Sequence, residues 1–208
     1  MRQLQPIIVE EIPHSIKKYV KQIEKVTFPK QGCTSDVGIL HTAKGRYVLK
    51  RAKGEKYRKW LFKEYYVLKN IKMLEKFRSP NAYEFVQTPE KSWLLLEFFE
   101  GKTVREYLEK EDNEKKREHI VYEMGRLLAL IHGDYTIDNV LVHDCQIAAV
   151  IDWSGGALGD ARYDIALAVR LEDGIFTGKE RAAFFKGYGK GLSQGEFCYF
   201  AEGLYKFF

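Results

Sequence analysis

The sequence predicts an α+β protein in which a β-rich first half precedes a mostly helical second half, and three observations carry that expectation. Residues 37–41 and 46–51 are rich in Val, Ile, Leu and Tyr and flank a Gly-containing turn at 43–45, the pattern of a β-hairpin. The stretch "EKYRKWLFKEYYVLKNIKMLEKF" repeats apolar residues at helical spacing through Tyr57, Trp60, Leu61, Tyr65, Leu68 and Ile71, so it reads as an amphipathic helix. Beyond Gly101 the helical pattern dominates, with a helix from residue 114 to about 130 and more helix after residue 164.

The elements between these follow from composition. "SWLLLEFFEGKTVREYL" opens with a short apolar strand over residues 93–99, stops near Gly101 and turns helical. "VLVHDCQIAAVIDW" has two strand-like runs around a polar turn. No internal repeat, low-complexity stretch or linker interrupts the chain. At 208 residues and 45% hydrophobic composition it can bury a real core, either as one domain or as two lobes sharing a hinge.

Composition also narrows the function classes. No segment approaches the roughly 18–20 uninterrupted apolar residues of a membrane span. The opening "MRQLQPIIVEE" lacks the apolar centre of a signal peptide, so the expectation is a cytoplasmic protein with no membrane partner. Cys33, Cys145 and Cys198 are odd in number and scattered, which suggests free thiols rather than a disulfide framework or a structural zinc site. The net charge of +5 is uneven: residues 1–100 carry net +9 and residues 101–208 net −4. A basic half suits phosphates and an acidic half suits a cation, although solvated helix faces would give the same imbalance. The Lys and Arg residues are not gathered into one block with aromatics between them, so no nucleic-acid partner is expected.

Several polar residues stand out on this scaffold. Lys50 ends the strand "YVLK", and Glu64 lies one turn after Trp60 and one turn before Leu68, on or beside the apolar face of its helix. A carboxylate turned inward needs a cation, because leaving it unpaired costs several kcal/mol, and Lys50 is the obvious partner. Upstream, "KQGCTSDVG" sets Gly32 and Gly38 among small polar residues, where free backbone N–H groups could meet phosphate oxygens. In the second half, "HGDYTIDNVLV" holds Asp134 and Asn139 five residues apart, and Asp152 follows thirteen residues later in "VIDW". Asn139 and Asp152 offer two oxygen ligands for Mg²⁺, which keeps several waters and binds phosphate oxygens. Asp134 is then free to accept a proton from a nucleophile beside the same phosphoryl group.

With "HGDYTIDNVLV" and "VIDWSGGALGDARYDIA" in view, the chain closely resembles the aminoglycoside phosphotransferase and choline kinase family, along nearly its whole length. The resemblance implies a bilobal protein-kinase-like fold, with a small antiparallel-sheet N-lobe over residues 1–96, a hinge at 97–101 and a helical C-lobe over 102–208. It implies ATP (or GTP) and Mg²⁺ as cofactors, and γ-phosphoryl transfer to a hydroxyl of a small molecule. By the same resemblance, Lys50 contacts the nucleotide phosphates and Glu64 pairs with it. Gly32 belongs to the phosphate-side turn, and the backbone of Glu97, Phe98 and Phe99 binds adenine. Asp134 is the catalytic aspartate, and Asn139 and Asp152 are the Mg²⁺ ligands. His132, Asp160 and Asp164 brace the loop and the following helix, and Asp138 is a solvated turn residue.

In relatives a loop and a short strand separate the "LH"-ended helix from "HGD", whereas "MGRLLALIHGDY" fuses the two. Either the helix stops near Leu128 and residues 129–132 form the strand, or a segment present in relatives is absent here. The leading reading is therefore a small-molecule kinase, with the acidic second half mildly favouring a cationic acceptor. A nucleotide-binding pseudokinase with a reduced acceptor lobe, a protein kinase and a metal-dependent hydrolase stay as alternatives; the acceptor and the oligomeric state are left open.

Overall fold

The computed structural model describes residues 5–29, 34–70, 79–128, 132–156 and 160–203. The chain divides into two compact units, one made of Met1–Met73 with Pro80–Phe98 and the other of Leu74–Ser79 with Phe99–Phe208.

The first unit is built on an antiparallel five-stranded sheet. Its elements are α1 (His14–Val20), β1 (Ile23–Thr27), β2 (Asp36–Thr42), β3 (Gly45–Lys53), α2 (Glu55–Asn70), β4 (Ala82–Gln87) and β5 (Lys91–Glu97), with strand order β1-β2-β3-β5-β4. Burial alternates along β2, as a strand with one deeply packed face requires. Leu40, Leu49, Trp93 and Leu95 share one core with Ile7, Ile12, Ile16 and Val20, so the N-terminal segment and α1 cover that face of the sheet. One residue on, Lys50 sits opposite Val37 and Leu94, and the period of two turns it to the other face, where it meets α2.

That same alternation returns the Arg51 side chain to the face of Leu49, fully buried. A buried guanidinium must be answered by acceptors. Its Nε and Nη2 both lie 2.9 Å from Asp36 Oδ2, its Nη1 reaches Glu11 Oε2 at 3.2 Å, and its Nη2 donates to the carbonyls of Gln5 and Pro6. The Gln5 N–H in turn donates to Asp36 Oδ1 at 3.2 Å. One buried cation thus ties the N-terminal segment to the first residue of β2.

The second unit contains β6 (Lys102–Thr103), α3 (Val104–Leu108), α4 (Glu114–Leu127), β7 (Val140–His143), β8 (Gln146–Val150), α5 (Ala161–Ala168), α6 (Gly178–Tyr188) and α7 (Gln194–Phe197), the last running into a wide turn at Cys198–Gly203. The small strands pair antiparallel in the order β6-β7-β8. Helices α4 and α6 cross at two glycines. A Cβ on Gly125 would lie 2.2 Å from the Phe184 carbonyl oxygen, and one on Gly187 would lie 2.0 Å from that of Tyr122, so the backbones approach closely. Both α3 and α6 start with reciprocal caps, Thr103 with Glu106 and Thr177 with Glu180.

The structure adjusts several expectations. Helix α2 buries Leu61, Glu64 and Leu68 and leaves Trp60 more than a third exposed, so its inner face is centred on Glu64 rather than on Trp60. The strand expected over residues 93–99 runs from Lys91 to Glu97, and Phe98 and Phe99 follow it without strand pairing. Gly38 lies within β2 opposite Leu49 instead of in a turn, where a Cβ would press on Val26 at 3.1 Å. Helix α4 ends at Leu127; residues 129–131, expected as a strand, and the expected extension of α2 past residue 70 lie outside the described residues.

Replacing Arg51 by Leu strands the Asp36 carboxylate and two carbonyls in the core of the first unit. Arg51→Leu is expected to lower stability by about 3–5 kcal/mol, the range for removing one member of a buried ion pair, as read by urea unfolding followed through tryptophan fluorescence.

Candidate active site

Lys50 and Glu64 meet as a direct pair in the first unit. Lys50 Nζ donates to Oε1 and Oε2 of Glu64 at 2.7 and 2.9 Å, and both side chains are largely buried. Lys50, expected at the end of its strand, lies inside β3 with three paired residues after it, and the strand interior and the middle of α2 fix the pair independently, so the ammonium is held in one place. At the end of β5, the Glu97 carboxylate accepts from the backbone and side-chain N–H groups of Asn81, and the Arg46 guanidinium lies 4.3 Å above the Phe98 ring. Phe99 opens the second unit and is half-buried. Gly32 lies outside the described residues.

In the second unit the hairpin register assembles the remaining residues. Val140 pairs with Val150, and the ladder continues by one bond in which Ile151 N donates to the Asn139 carbonyl at 2.9 Å. Asn139 just before β7 and Asp152 just after β8 are therefore brought to the same open end of the hairpin. Asp152 adopts the left-handed conformation, φ 60° and ψ 65°, which an Asp tolerates better than most residues. The Asn139 Nδ2 donates to both the carbonyl and Oδ2 of Asp134, each at 2.9 Å. The five-residue spacing thus closes a loop in which the Asn139 amide nitrogen clamps the Asp134 carboxylate.

A buried acid holds this loop from below. Asp164 on α5 accepts the N–H groups of His132, Gly133 and Tyr135, three donors from one turn. The Ile151 carbonyl accepts from His132 Nε2 at 2.9 Å, and the His132 ring meets Trp153 edge-on at 4.5 Å. The Tyr135 hydroxyl donates to the Met124 carbonyl on α4 at 2.9 Å. Gly133 has φ +84°, and a Cβ there would stand 2.4 Å from the Gly155 carbonyl oxygen, so only glycine lets the loop with Asp134 lie against the loop after Asp152.

Electrostatics follow from this packing. Burial first, and then the Asp152 carboxylate, push the Asp134 carboxyl up to about 6, while the Asn139 amide opposes the rise. Burial raises Asp164 as well, partly offset by the backbone N–H groups of Gly133 and Tyr135, and burial lowers His132 toward its neutral form. Asp160 caps α5 by accepting from Arg162 N at 3.0 Å. Asp138 is an exposed turn residue, as expected, and it also takes a two-pronged contact from Arg105, Nε to Oδ1 at 2.6 Å and Nη2 to Oδ2 at 2.9 Å. Sequence reasoning missed Arg105 because it lies thirty-three residues away and nothing local marks it.

Among the described residues no group of three or more His, Cys, Asp or Glu is arranged to hold a metal ion. Asn139 Oδ1 and Asp152 fit a cation that takes one amide oxygen and one carboxylate from the protein and the rest from water and phosphate, which is how Mg²⁺ is commonly bound.

A sheet unit with a paired strand lysine and helix glutamate, joined to a unit that carries HGD, Asn and Asp on a short hairpin, defines a kinase-like α+β phosphotransferase fold. The chain belongs to the APH phosphotransferase enzyme family, whose profile matches residues 25–132 and 128–198. The two matches share residues 128–132, the fused stretch "LALIH".

Solved structures agree on the fold. An aminoglycoside-3'-phosphotransferase of type VIII matches with a TM-score of 0.74 and 17% identity over 88% of this chain and 93% of that one. The streptomycin-ATP-APH(2")-IIa ternary complex matches with a TM-score of 0.67 and 13% identity over 94% and 89%. The macrolide 2'-phosphotransferase MphH from Brachybacterium faecium gives 0.65 and 13% over 93% and 91%. Among curated sequences, Hygromycin-B 4-O-kinase of Escherichia coli is 46% identical over 37 residues, 18% of this chain and 11% of that protein. The matched stretch spans only that small share of the relative's length.

Because the folded Asp134 binds its proton more tightly than the usual carboxylate value of 3.8, stability is lost as pH rises through about 6. Asp134→Asn keeps an acceptor oxygen for Asn139 without the charge. In metal-free protein it is expected to raise Tm at pH 8 and to give little or no gain at pH 4, as measured by scanning calorimetry at both values.

Proposed function

We propose that this protein transfers the γ-phosphoryl group of ATP, with Mg²⁺, to a hydroxyl of a small molecule such as an aminoglycoside-like, choline-like or sugar or amino compound. The observation that carries the reading is the clamp of Asn139 on Asp134 beside Asp152. A carboxylate held at a fixed angle by an amide, with a second carboxylate at the same hairpin end, suits a base working next to a cation. Relatives of the same fold have been described with ATP and streptomycin, and with ADP and hygromycin B, which supports a nucleotide and a small polar acceptor.

In this reading Lys50, oriented by Glu64, contacts the nucleotide phosphates, and the backbone at Glu97, Phe98 and Phe99, within a hinge at 97–101, meets the base of the nucleotide. That hinge would separate an N-lobe of residues 1–96 from a C-lobe of residues 102–208. Mg²⁺ on Asn139 and Asp152 would offset the charge of the β- and γ-phosphates. Asp134 aligns the acceptor hydroxyl with the leaving oxygen and takes its proton. Burial raises the proton affinity of Asp134, which suits a base that must take a proton. An enzyme that consumes ATP belongs where ATP is made available, so the cytoplasm is the compartment we assign. The net −4 of residues 101–208 favours a cationic acceptor. GTP would be accepted only if the backbone at 97–99 presents the complementary donors and acceptors.

A pseudokinase would need none of Asp134, Asn139 and Asp152 held together, and a hydrolase would not need Lys50 paired to Glu64. The test is Mg²⁺-dependent ADP release across aminoglycosides, choline-like amines, thiosugars and hydroxyl amino acids, with Asp134→Ala beside wild type. Acceptor-stimulated release is expected, with kcat at least about 10²-fold lower in the variant and nucleotide affinity within a few-fold. Near wild-type turnover in Asp134→Ala would remove the assignment.

A further inference from the structure

We infer that Arg105 is a positioning residue for the loop between Asp134 and Asn139, an inference that rests on the phosphotransferase reading of that loop. Asp164 grips its first half through the N–H groups of His132, Gly133 and Tyr135, and Asn139 closes it onto Asp134. Between these anchors lie Thr136, Ile137 and Asp138, and Arg105 holds two of the three. Its backbone N–H donates to the Ile137 carbonyl at 3.0 Å, and its guanidinium spans both oxygens of the next residue, Asp138.

The geometry separates this contact from an ordinary surface ion pair. A planar guanidinium meeting a carboxylate through two parallel N–H groups fixes direction as well as distance. Arg105 itself does not wander. It sits in the first turn of α3, whose N-cap Thr103 forms a reciprocal cap with Glu106 and is paired in β6 with Leu141 of β7. The loop ends in β7, so Arg105 connects the strand after the loop to the loop itself. Its remaining arm, Nη1, donates to Glu172, whose turn closes by two backbone bonds with the fully buried Phe176. Both carboxylates hold the guanidinium firmly charged.

Arg105 therefore acts on catalysis through Asp138. Without the two-pronged contact, residues 136–138 lose their outer restraint, and the Asn139 amide that aligns Asp134 moves with them. A displacement of about 1 Å at a reacting group costs up to about 10²-fold in rate, while the proposed nucleotide contacts of Lys50 and of residues 97–99 lie outside this loop. Because Asn139 is also a proposed Mg²⁺ ligand, the expected signature is a fall in kcat that exceeds any rise in KM for ATP.

The experiment compares Arg105→Met, Arg105→Lys, Asp138→Asn and the Arg105→Met/Asp138→Asn double variant in the full chain. The first readout is the Asn139 side-chain amide in ¹⁵N spectra of metal-free, nucleotide-free protein, which needs no activity. The second is kcat and KM for ATP in acceptor-stimulated ADP release. Arg105→Met is expected to shift the Asn139 amide, to speed its hydrogen exchange by about tenfold, and to lower kcat by about tenfold with a smaller change in KM for ATP. Lys, which cannot span both oxygens, restores only part of this. The double variant is no worse than Arg105→Met, because the two side chains act as one contact. An Asn139 amide unchanged in both Arg105→Met and Asp138→Asn, with only Tm lowered, would overturn the inference and leave Arg105 a purely structural tie. A changed amide in a protein that no acceptor stimulates would uphold the inference about the loop and count against the phosphotransferase reading instead. The near-isosteric Asp138→Asn keeps the test decisive if Arg105→Met does not fold.

Discussion

The carboxylate of Asp164 accepts the N–H groups of three residues of the loop that carries Asp134, and the rest of the second unit's chemistry hangs on that contact. Amide groups packed this close to buried side chains would be costly without an acceptor. A single acid on α5 supplies it, and in doing so turns the loop so that the Asp134 side chain meets Asn139. Gly133 and Gly155 then let the two loops touch where any Cβ would collide. The site is thus fixed by backbone satisfaction before any side chain reacts.

The same principle governs the first unit with the charges reversed. There the buried group is the Arg51 guanidinium, and the acceptors are Asp36, Glu11 and the carbonyls of Gln5 and Pro6. The adjacent Lys50 faces the other way and is answered by Glu64. Neighbouring cations on one strand serve separate ends because the strand period is two: one joins the N-terminal segment to the sheet, and the other joins the sheet to α2.

Burial at the site also carries a cost. Asp134 and Asp152 are brought together at one hairpin end, and the raised proton affinity of Asp134 records its desolvation first and their repulsion second. Strain of this kind persists where surrounding contacts determine the geometry, as the Asp164 and Arg105 contacts do here.

Much of this was legible in the chain. The hairpin of β2 and β3, helix α2, the inward Glu64 with its Lys50 partner, and the spacing of Asp134, Asn139 and Asp152 all follow from local pattern, because period, turn residues and the cost of a buried charge act over a few residues. Short α1, edge strands β1 and β4, and the true inner face of α2 were not legible, since each depends on what packs against it. Arg51 and Arg105 escaped for a related reason: an arginine in sequence looks like solvent-facing charge, and only distant partners, Asp36 and Glu11 for one and Asp138 and Glu172 for the other, make it a structural centre. Residue order alone specifies which chemical groups are present and where each lies along the chain. The tertiary structure alone decided which of them meet, because hydrogen-bond register and burial are set by elements tens of residues apart.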